Sequence, residues 1–184
     1  MRVFIGVTGA SGQIYARRLI EVLHEEGVDV EISVTRSAEY VMEQEGVDLP
    51  ENVRRYDPKD LTAPPASGTY RIDAYIVCPC TLHTLSSVAV GVAGDLIKRA
   101  AVVALKEGRP LVFVVRETPW PRSALQAALK LREEGAVILP ACPAFYHGPT
   151  TIEDLVDYVV QKVLDTIGVE VDLVRYQPRG MNFR

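Results

Sequence analysis

Only three cysteines occur in this chain of 184 residues, Cys78, Cys80 and Cys142. They form no CxxC pair and no repeated ligand spacing, so neither a disulfide framework nor a zinc site is supported. No apolar stretch approaches the roughly 18 residues of a membrane span. The amino-terminal run Val3 to Val7 is too short for a signal-peptide core and precedes no small-residue cleavage pattern. A soluble, cytoplasmic protein with no membrane partner is expected. Basic residues are not in excess: 20 Lys+Arg stand against 24 Asp+Glu, a formal charge of −4 without long blocks of either sign, so nucleic acid is a poor first partner. An Asp-rich DDxxD segment is also missing, which leaves magnesium chelation of a diphosphate unsupported, and no metal is expected. Internal repeats, low-complexity tracts and linkers are absent as well.

Hydrophobic residues make up 48% of the chain, enough for a real core in what its length suggests is one domain. Val3 to Thr8 reads as a strand buried on both faces, followed by the turn Thr-Gly-Ala-Ser-Gly. Ile14, Tyr15, Leu19, Ile20, Val22 and Leu23 place a helix through Glu26, which Gly27 stops. Val28 to Thr35 is a second strand and Ser37 to Glu45 a second helix. From Asp48 to Gly68 the periodicity fails among Pro50, Pro58, Pro64 and Pro65, and an irregular excursion is expected.

A strand resumes at Ala74 to Cys78. Two small-residue helices span Leu82 to Leu105 with a break near Gly91 to Gly94, a pattern suited to close helix packing or burial against another subunit. Pro110 to Val115 is a strand, Ser123 to Glu134 a helix, Ala136 to Leu139 a strand and Ile152 to Ile167 a helix with a clear apolar stripe. Five strands alternating with helices predict an α/β fold, a single-domain doubly wound, mostly parallel sheet of Rossmann-like or flavodoxin-like type with helices on both faces. Residues 1–169 form this domain, and residues 170–184 are an extension that could reach a neighbouring subunit.

Ligands of such sheets bind beyond the carboxyl ends of the strands, and four segments fall there. Gly6-Val-Thr-Gly-Ala-Ser-Gly12 hands a strand to a helix amino terminus, where backbone amides and the helix dipole face an anion. Its spacing is GxxGxxG, and strand two ends in Val34-Thr35-Arg36 without an acid for an adenosine ribose, so a mononucleotide such as FMN fits better than NAD. Thr81 and Thr84 offer hydroxyls at a second helix start, although Thr81 reads equally as a plain cap. Arg116-Glu-Thr-Pro119 puts a cation and a carboxylate at the same edge. Pro140 to His147 is a stiff loop carrying Tyr146, a phosphate donor, and Phe145, a packing residue. Arg99 and Lys106, seven apart, share a helix face, which alone reads as a solvated face.

Taken together, Thr8-Gly-Ala-Ser-Gly12, Ala63-Pro-Pro-Ala-Ser-Gly68, Cys78-Pro-Cys80, Arg99-Ala-Ala101, Leu105-Lys-Glu107, Arg116-Glu-Thr-Pro119 and Pro143-Ala-Phe-Tyr-His147 strongly resemble the UbiX family of flavin prenyltransferases. The resemblance runs from about Val3 to Val169. It implies transfer of a dimethylallyl group from dimethylallyl phosphate to N5 and C6 of reduced FMN, without a metal. The product, prenylated FMN, serves UbiD-type decarboxylases.

By match, Gly9, Ala10, Ser11, Thr35, Thr81, Leu82, His83, Thr84 and Arg116 bind FMN. Arg99, Lys106, Glu117, Tyr146 and Lys162 surround the prenyl phosphate, Ser11 and Glu45 lie by the reacting flavin edge, and Ser11, Glu45, Lys106 and Glu117 form the catalytic set. The resemblance also implies a homo-oligomer, commonly a dodecamer. Lys162 stands where the family has arginine, Leu61 where some relatives have tryptophan, and Gly94-Asp95-Leu96 replaces a more usual Asp/Asn-Asn-Leu. Two other readings share an FMN edge: an FMN-dependent cysteine-type decarboxylase, whose PxMNxxMW segment is not found here, and a non-catalytic flavin-binding subunit. An aromatic-acid decarboxylase is a weaker third.

Overall fold

The computed structural model of the chain describes residues 1–175. Its elements in chain order are β1 (Arg2–Val7), α1 (Gln13–Glu25), β2 (Asp29–Val34), α2 (Arg36–Glu45), β3 (Arg54–Tyr56), β4 (Ala74–Cys80), α3 (Leu82–Ala89), α4 (Leu96–Lys106), β5 (Leu111–Val115), α5 (Arg122–Glu133), β6 (Val137–Pro140) and α6 (Ile152–Ile167). All six strands are parallel neighbours in the order β3-β2-β1-β4-β5-β6. The chain therefore winds outward in one direction from β1 and in the other from β4. The switch point lies between the carboxyl ends of β1 and β4, where such sheets open a crevice.

Four of the six helices described start at a local side-chain cap. Thr35, Thr81, Asp95 and Thr151 cap α2, α3, α4 and α6, each accepting a backbone amide in the first turn. Asp95, the departure at Gly94-Asp95-Leu96, is thus the residue that starts α4. Thr151 and Asp154 complete a reciprocal capping box. Gly46 and Gly168 close α2 and α6 in the left-handed conformation.

Two apolar layers result. One packs α1, Ala38 of α2 and α6 against Val3, Ile5, Val7, Val30, Ile32 and Val34. The other packs α3, α4 and α5 against Phe4, Tyr75, Val77 and Phe113. Strands β4 and β5 are buried along their whole length, which is why they read as continuous apolar runs.

The expected count of five strands is corrected to six among the described residues. β3 lies inside the segment read as irregular, because three residues, Arg54-Arg-Tyr56, carry no apolar alternation and are recruited only by pairing with β2. The rest of that segment contributes a short 3-10 turn at Pro64–Ala66. Ala63, Ala66, Tyr56 and Tyr70 pack into the second apolar layer, so the excursion covers the sheet. Beyond α6, Gln161 Oε1 accepts the Leu173 amide at 2.9 Å and Arg175 pairs with Asp165 at 2.8 Å. This stretch thereby folds back on its own helix, and the remainder of the expected extension, 176–184, lies outside the described residues.

Candidate active site

The carboxyl ends of the strands are laced together by side chain to backbone bonds. Thr8, only 2% exposed, donates from its hydroxyl to the Pro79 carbonyl at 2.7 Å and accepts the Thr81 amide at 3.0 Å. One hydroxyl thus joins the end of β1 to the start of α3 across the switch point. Gln13, fully buried, donates from Nε2 to the carbonyls of Thr8 and Ala10 at 2.9 and 2.7 Å. Those carbonyls are drawn inward, and the turn carrying Ser11 faces out.

Arg116 leaves the end of β5 and donates from Nε to the Ser11 carbonyl at 3.2 Å. The cation expected at this edge therefore meets the glycine turn directly, 105 residues away in sequence. Its neighbour Glu117 points elsewhere, accepting the Thr118 amide at 3.0 Å, while the Glu117 carbonyl accepts Trp120 Nε1 at 2.9 Å. Arg116 and Glu117 thus diverge at the same edge.

One expectation about this turn changes. The amides at the start of α1 do not stand open for a ligand anion: Glu45, at the end of α2, accepts Gly12 N and Gln13 N at 2.8 Å each, one on each carboxylate oxygen. An anion at a helix amino terminus is stabilised by the dipole, and here that anion is a side chain. Glu45 is accordingly beside Ser11, and it holds the turn's shape. Gly12 needs its missing side chain, with φ of 94°.

The open hydroxyls gather next to this turn. Thr35 caps α2 and its Oγ1 lies 3.1 Å from Ser37 Oγ. A Cβ on Gly9 would stand 2.5 Å from Ser37 Oγ, so Gly9, Thr35, Ser37 and the first turn of α2 form one cradle. Ser37 is the functional candidate that sequence reasoning missed. Its signal was a second hydroxyl two residues after Thr35, at a predicted helix start. On the other side of the crevice Thr81 Oγ1 donates to Thr84 Oγ1 at 3.0 Å. Ala10 and Thr84 are buried, whereas Ser11 and His83 are exposed and Leu82 is half-buried.

The phosphate-binding candidates fall in two places. Tyr146, on the loop beyond β6, stands close to Tyr158 and Lys162 of α6, and the bond to Tyr158 raises its phenol above the ordinary value while the Lys162 ammonium opposes that. Arg99 and Lys106 sit elsewhere. The Leu96 amide at the start of α4 bonds the Pro58 carbonyl just past β3, and the helix then descends to the amino ends of β4 and β5. Lys106, its last residue, pairs with Glu107, whose carboxyl it holds below the ordinary range, and both lie against Gly68. Strands of five or six residues put about 17–20 Å between the two sheet edges. Within one chain Lys106 is therefore not brought to Tyr146 and Arg116.

Among the described residues no group of three or more His, Cys, Asp or Glu side chains is placed to share a cation. Cys78 and Cys80 are buried, and burial pushes both thiols well above their ordinary value. They are packing residues.

A parallel sheet with hydroxyls and a cation around its switch point defines a mononucleotide-binding protein. The family model Flavoprotein matches residues 1–164. The flavin prenyltransferase UbiX of Pseudomonas aeruginosa is 43% identical, with 94% of this chain and 92% of that protein covered. The crystal structure of AnUbiX in complex with FMN and dimethylallyl pyrophosphate superposes with a TM-score of 0.91 at 35% identity, covering 97% of this chain and 98% of that one. The dodecameric FMN-dependent UbiX-like decarboxylase of Escherichia coli O157:H7 gives 0.92 at 36% identity, covering 97% and 100%. Peptidyl-cysteine decarboxylase, at 14% identity and a TM-score of 0.66, shares the fold alone. The chain belongs to the Flavoprotein family and, within it, to the flavin prenyltransferases named UbiX.

Proposed function

We propose that this protein is a cytoplasmic flavin prenyltransferase that joins the dimethylallyl group of dimethylallyl phosphate to N5 and C6 of reduced FMN, supplying prenylated FMN to a UbiD-type decarboxylase. The observation that carries the reading is the meeting of Arg116 and Ser11 at the switch point beside the Gly9, Thr35 and Ser37 cradle. The cradle fits a flavin phosphate: hydroxyls and first-turn amides of α2 converge where only glycine leaves room. Reduced FMN, when bound, supplies the electron-rich ring that is alkylated.

The chain's own residues have three tasks. Ionising an allylic phosphate separates an anion from a carbocation, so preorganised donors must hold the anion. Tyr146 and Lys162 are suited to this, one by a hydroxyl and the other by a point charge. Ser11 and Glu45 stand at the turn where a proton must be held or moved beside the flavin, and Glu117, exposed next to Arg116 in the chain, is the remaining carboxylate of the catalytic set that the family resemblance implies. Lastly, water must be excluded, since it would quench the cation to an alcohol.

Lys106 and Arg99 enter this scheme from a second copy of the chain. Both are exposed on one face of α4, and Lys106 is at the wrong edge to serve its own Tyr146. A homo-oligomer, a dodecamer as in the relative from Escherichia coli, brings α4 of one subunit to the loop beyond β6 of another and completes the cover over the site.

Subunit complementation tests this. Lys106→Ala and Tyr146→Phe are each expected to abolish most anaerobic transfer to reduced FMN, read by mass analysis of the released flavin. Mixed oligomers of the two variants should recover about a quarter of wild-type activity, because random assembly gives that share of interfaces both intact residues. No recovery would mean that both residues serve one subunit's site, contrary to the proposal. Unmodified FMN from the wild-type protein, with either a monophosphate or a diphosphate donor, would favour the carrier reading.

A further inference from the structure

Tyr146 is 60% exposed at the tip of the loop that leaves β6. An exposed phenol pays conformational entropy when a ligand fixes it, of order 1 kcal/mol for a side chain with two torsions. Here the cost is met in advance by two neighbouring rings. Tyr158 of α6 meets Tyr146 edge to face, with ring centres 6.2 Å apart at 87°. His147 stacks on Tyr158 at 5.7 Å and 6°, and meets Tyr146 edge to face at 5.9 Å and 82°. The three rings close a triangle of the geometries that aromatic quadrupoles favour. Both His147 ring nitrogens are buried and have no hydrogen-bond partner among the described residues, so this imidazole contributes its face.

The hydroxyls matter as much as the rings. Tyr146 is hydrogen-bonded to Tyr158 and lies within reach of the Lys162 charge. Tyr158 and Lys162 are four apart on α6, hence on one face. A phenol and an ammonium of a single helix in this way both act on the Tyr146 hydroxyl.

We infer that Tyr158 is a positioning residue for phosphate binding: its hydroxyl and ring, held by His147, fix the Tyr146 phenol beside Lys162. The inference rests on the reading that Tyr146 and Lys162 hold the prenyl phosphate. A hydroxyl both donates and accepts. Without ligand Tyr146 donates to Tyr158; when a phosphate oxygen takes the Tyr146 proton as a hydrogen bond, the Tyr158 hydroxyl turns to donate to Tyr146. Chained hydroxyls polarise one another, which strengthens the terminal bond to the anion.

The experiment uses the intact, FMN-loaded oligomer and the variants Tyr158→Phe, Tyr146→Phe and the double variant. Tyr158→Phe keeps the ring, the stack on His147 and the edge contact, and removes only the hydroxyl. It should raise KM for dimethylallyl monophosphate, and the inhibition constant of inorganic phosphate, by about three- to tenfold, the range of one lost hydrogen bond. FMN affinity and melting temperature should not change. In the Tyr146→Phe background the same substitution should add nothing.

Unchanged phosphate inhibition in Tyr158→Phe alongside weakened inhibition in Tyr146→Phe overturns the positioning role. So does an additive effect in the double variant, or a parallel loss of FMN affinity. Unchanged inhibition in Tyr146→Phe instead overturns the phosphate assignment on which the inference stands.

Discussion

At the amino edge of the sheet Glu31 is 0% exposed and accepts Tyr70 at 2.6 Å and Tyr56 at 3.2 Å, with Arg2 and Arg54 guanidinium nitrogens at 3.5 and 3.6 Å. At the carboxyl edge Thr35, Thr81 and Ser37 keep at least part of their surface in solvent, and the buried groups there, Thr8 and Gln13, spend their bonds on the backbone. Both edges are polar, with opposite outcomes: charged groups and phenols at one, neutral hydroxyls and an amide at the other. One is a cluster closed on itself, which clamps the 57–70 segment over the sheet; Arg109 adds to that clamp with bonds to the carbonyls of Gly68 and Tyr70. The other orders its backbone with buried hydroxyls and leaves open ones facing the crevice. Burial with every partner supplied marks a structural group, whereas hydroxyls converging around an absent Cβ mark a site.

Breaking the closed cluster should have the largest effect on stability. Glu31→Ala leaves two guanidinium groups and two phenols without their shared acceptor and is expected to cost about 3 kcal/mol in urea unfolding. FMN titration of the protein that remains folded should give an affinity near wild type. Weakened FMN binding at full stability would erase the contrast between the edges.

A single methyl group probes the open edge. Gly9→Ala drives a Cβ to within 2.5 Å of Ser37 Oγ and 2.6 Å of Ser37 Cβ, an overpacking of roughly 1–3 kcal/mol. About ten- to hundredfold weaker FMN binding is expected by fluorescence quenching. A fall in melting temperature with no change in FMN affinity would move Gly9 to the structural class.

The smallest effect is a pH signature of the closed edge. Burial, and then the bond to Glu31, push the Tyr70 phenol up to about 12 from an ordinary 10.0. The folded state therefore keeps a proton that the unfolded chain has lost, and stability present below pH 10 declines as the pH rises through about 12. Tyr70→Phe should flatten that alkaline decline in chemical unfolding curves. An identical slope in the variant would assign the decline to other groups.

Much of this was legible in the chain because its chemistry is local. Thr81 and the helix it starts, the stripe of α6 and the break between α3 and α4 all follow from spacings of three or four residues. Thr8 to Gly12, with Arg116, was legible as a ligand edge because a strand hands over to a turn at each. β3 was not, since Arg54-Arg-Tyr56 has no alternation to show and owes its conformation to β2. Ser37 was passed over for Thr35, although it is Ser37 that meets Gly9. The anion at the start of α1 was expected from outside, and Glu45, some 33 residues downstream, takes that place.

By itself the sequence determined the parallel α/β architecture, the segments that reach the carboxyl edge and the family whose motifs they carry, since each depends on residues within a turn or a strand of one another. Tertiary structure decided which of those residues meet. Sheet order and helix direction bring Arg116 to Ser11 across 105 positions and send Lys106 to the far edge, a placement that no spacing within α4 contains, because it is the register of strands far apart in the chain that sets it.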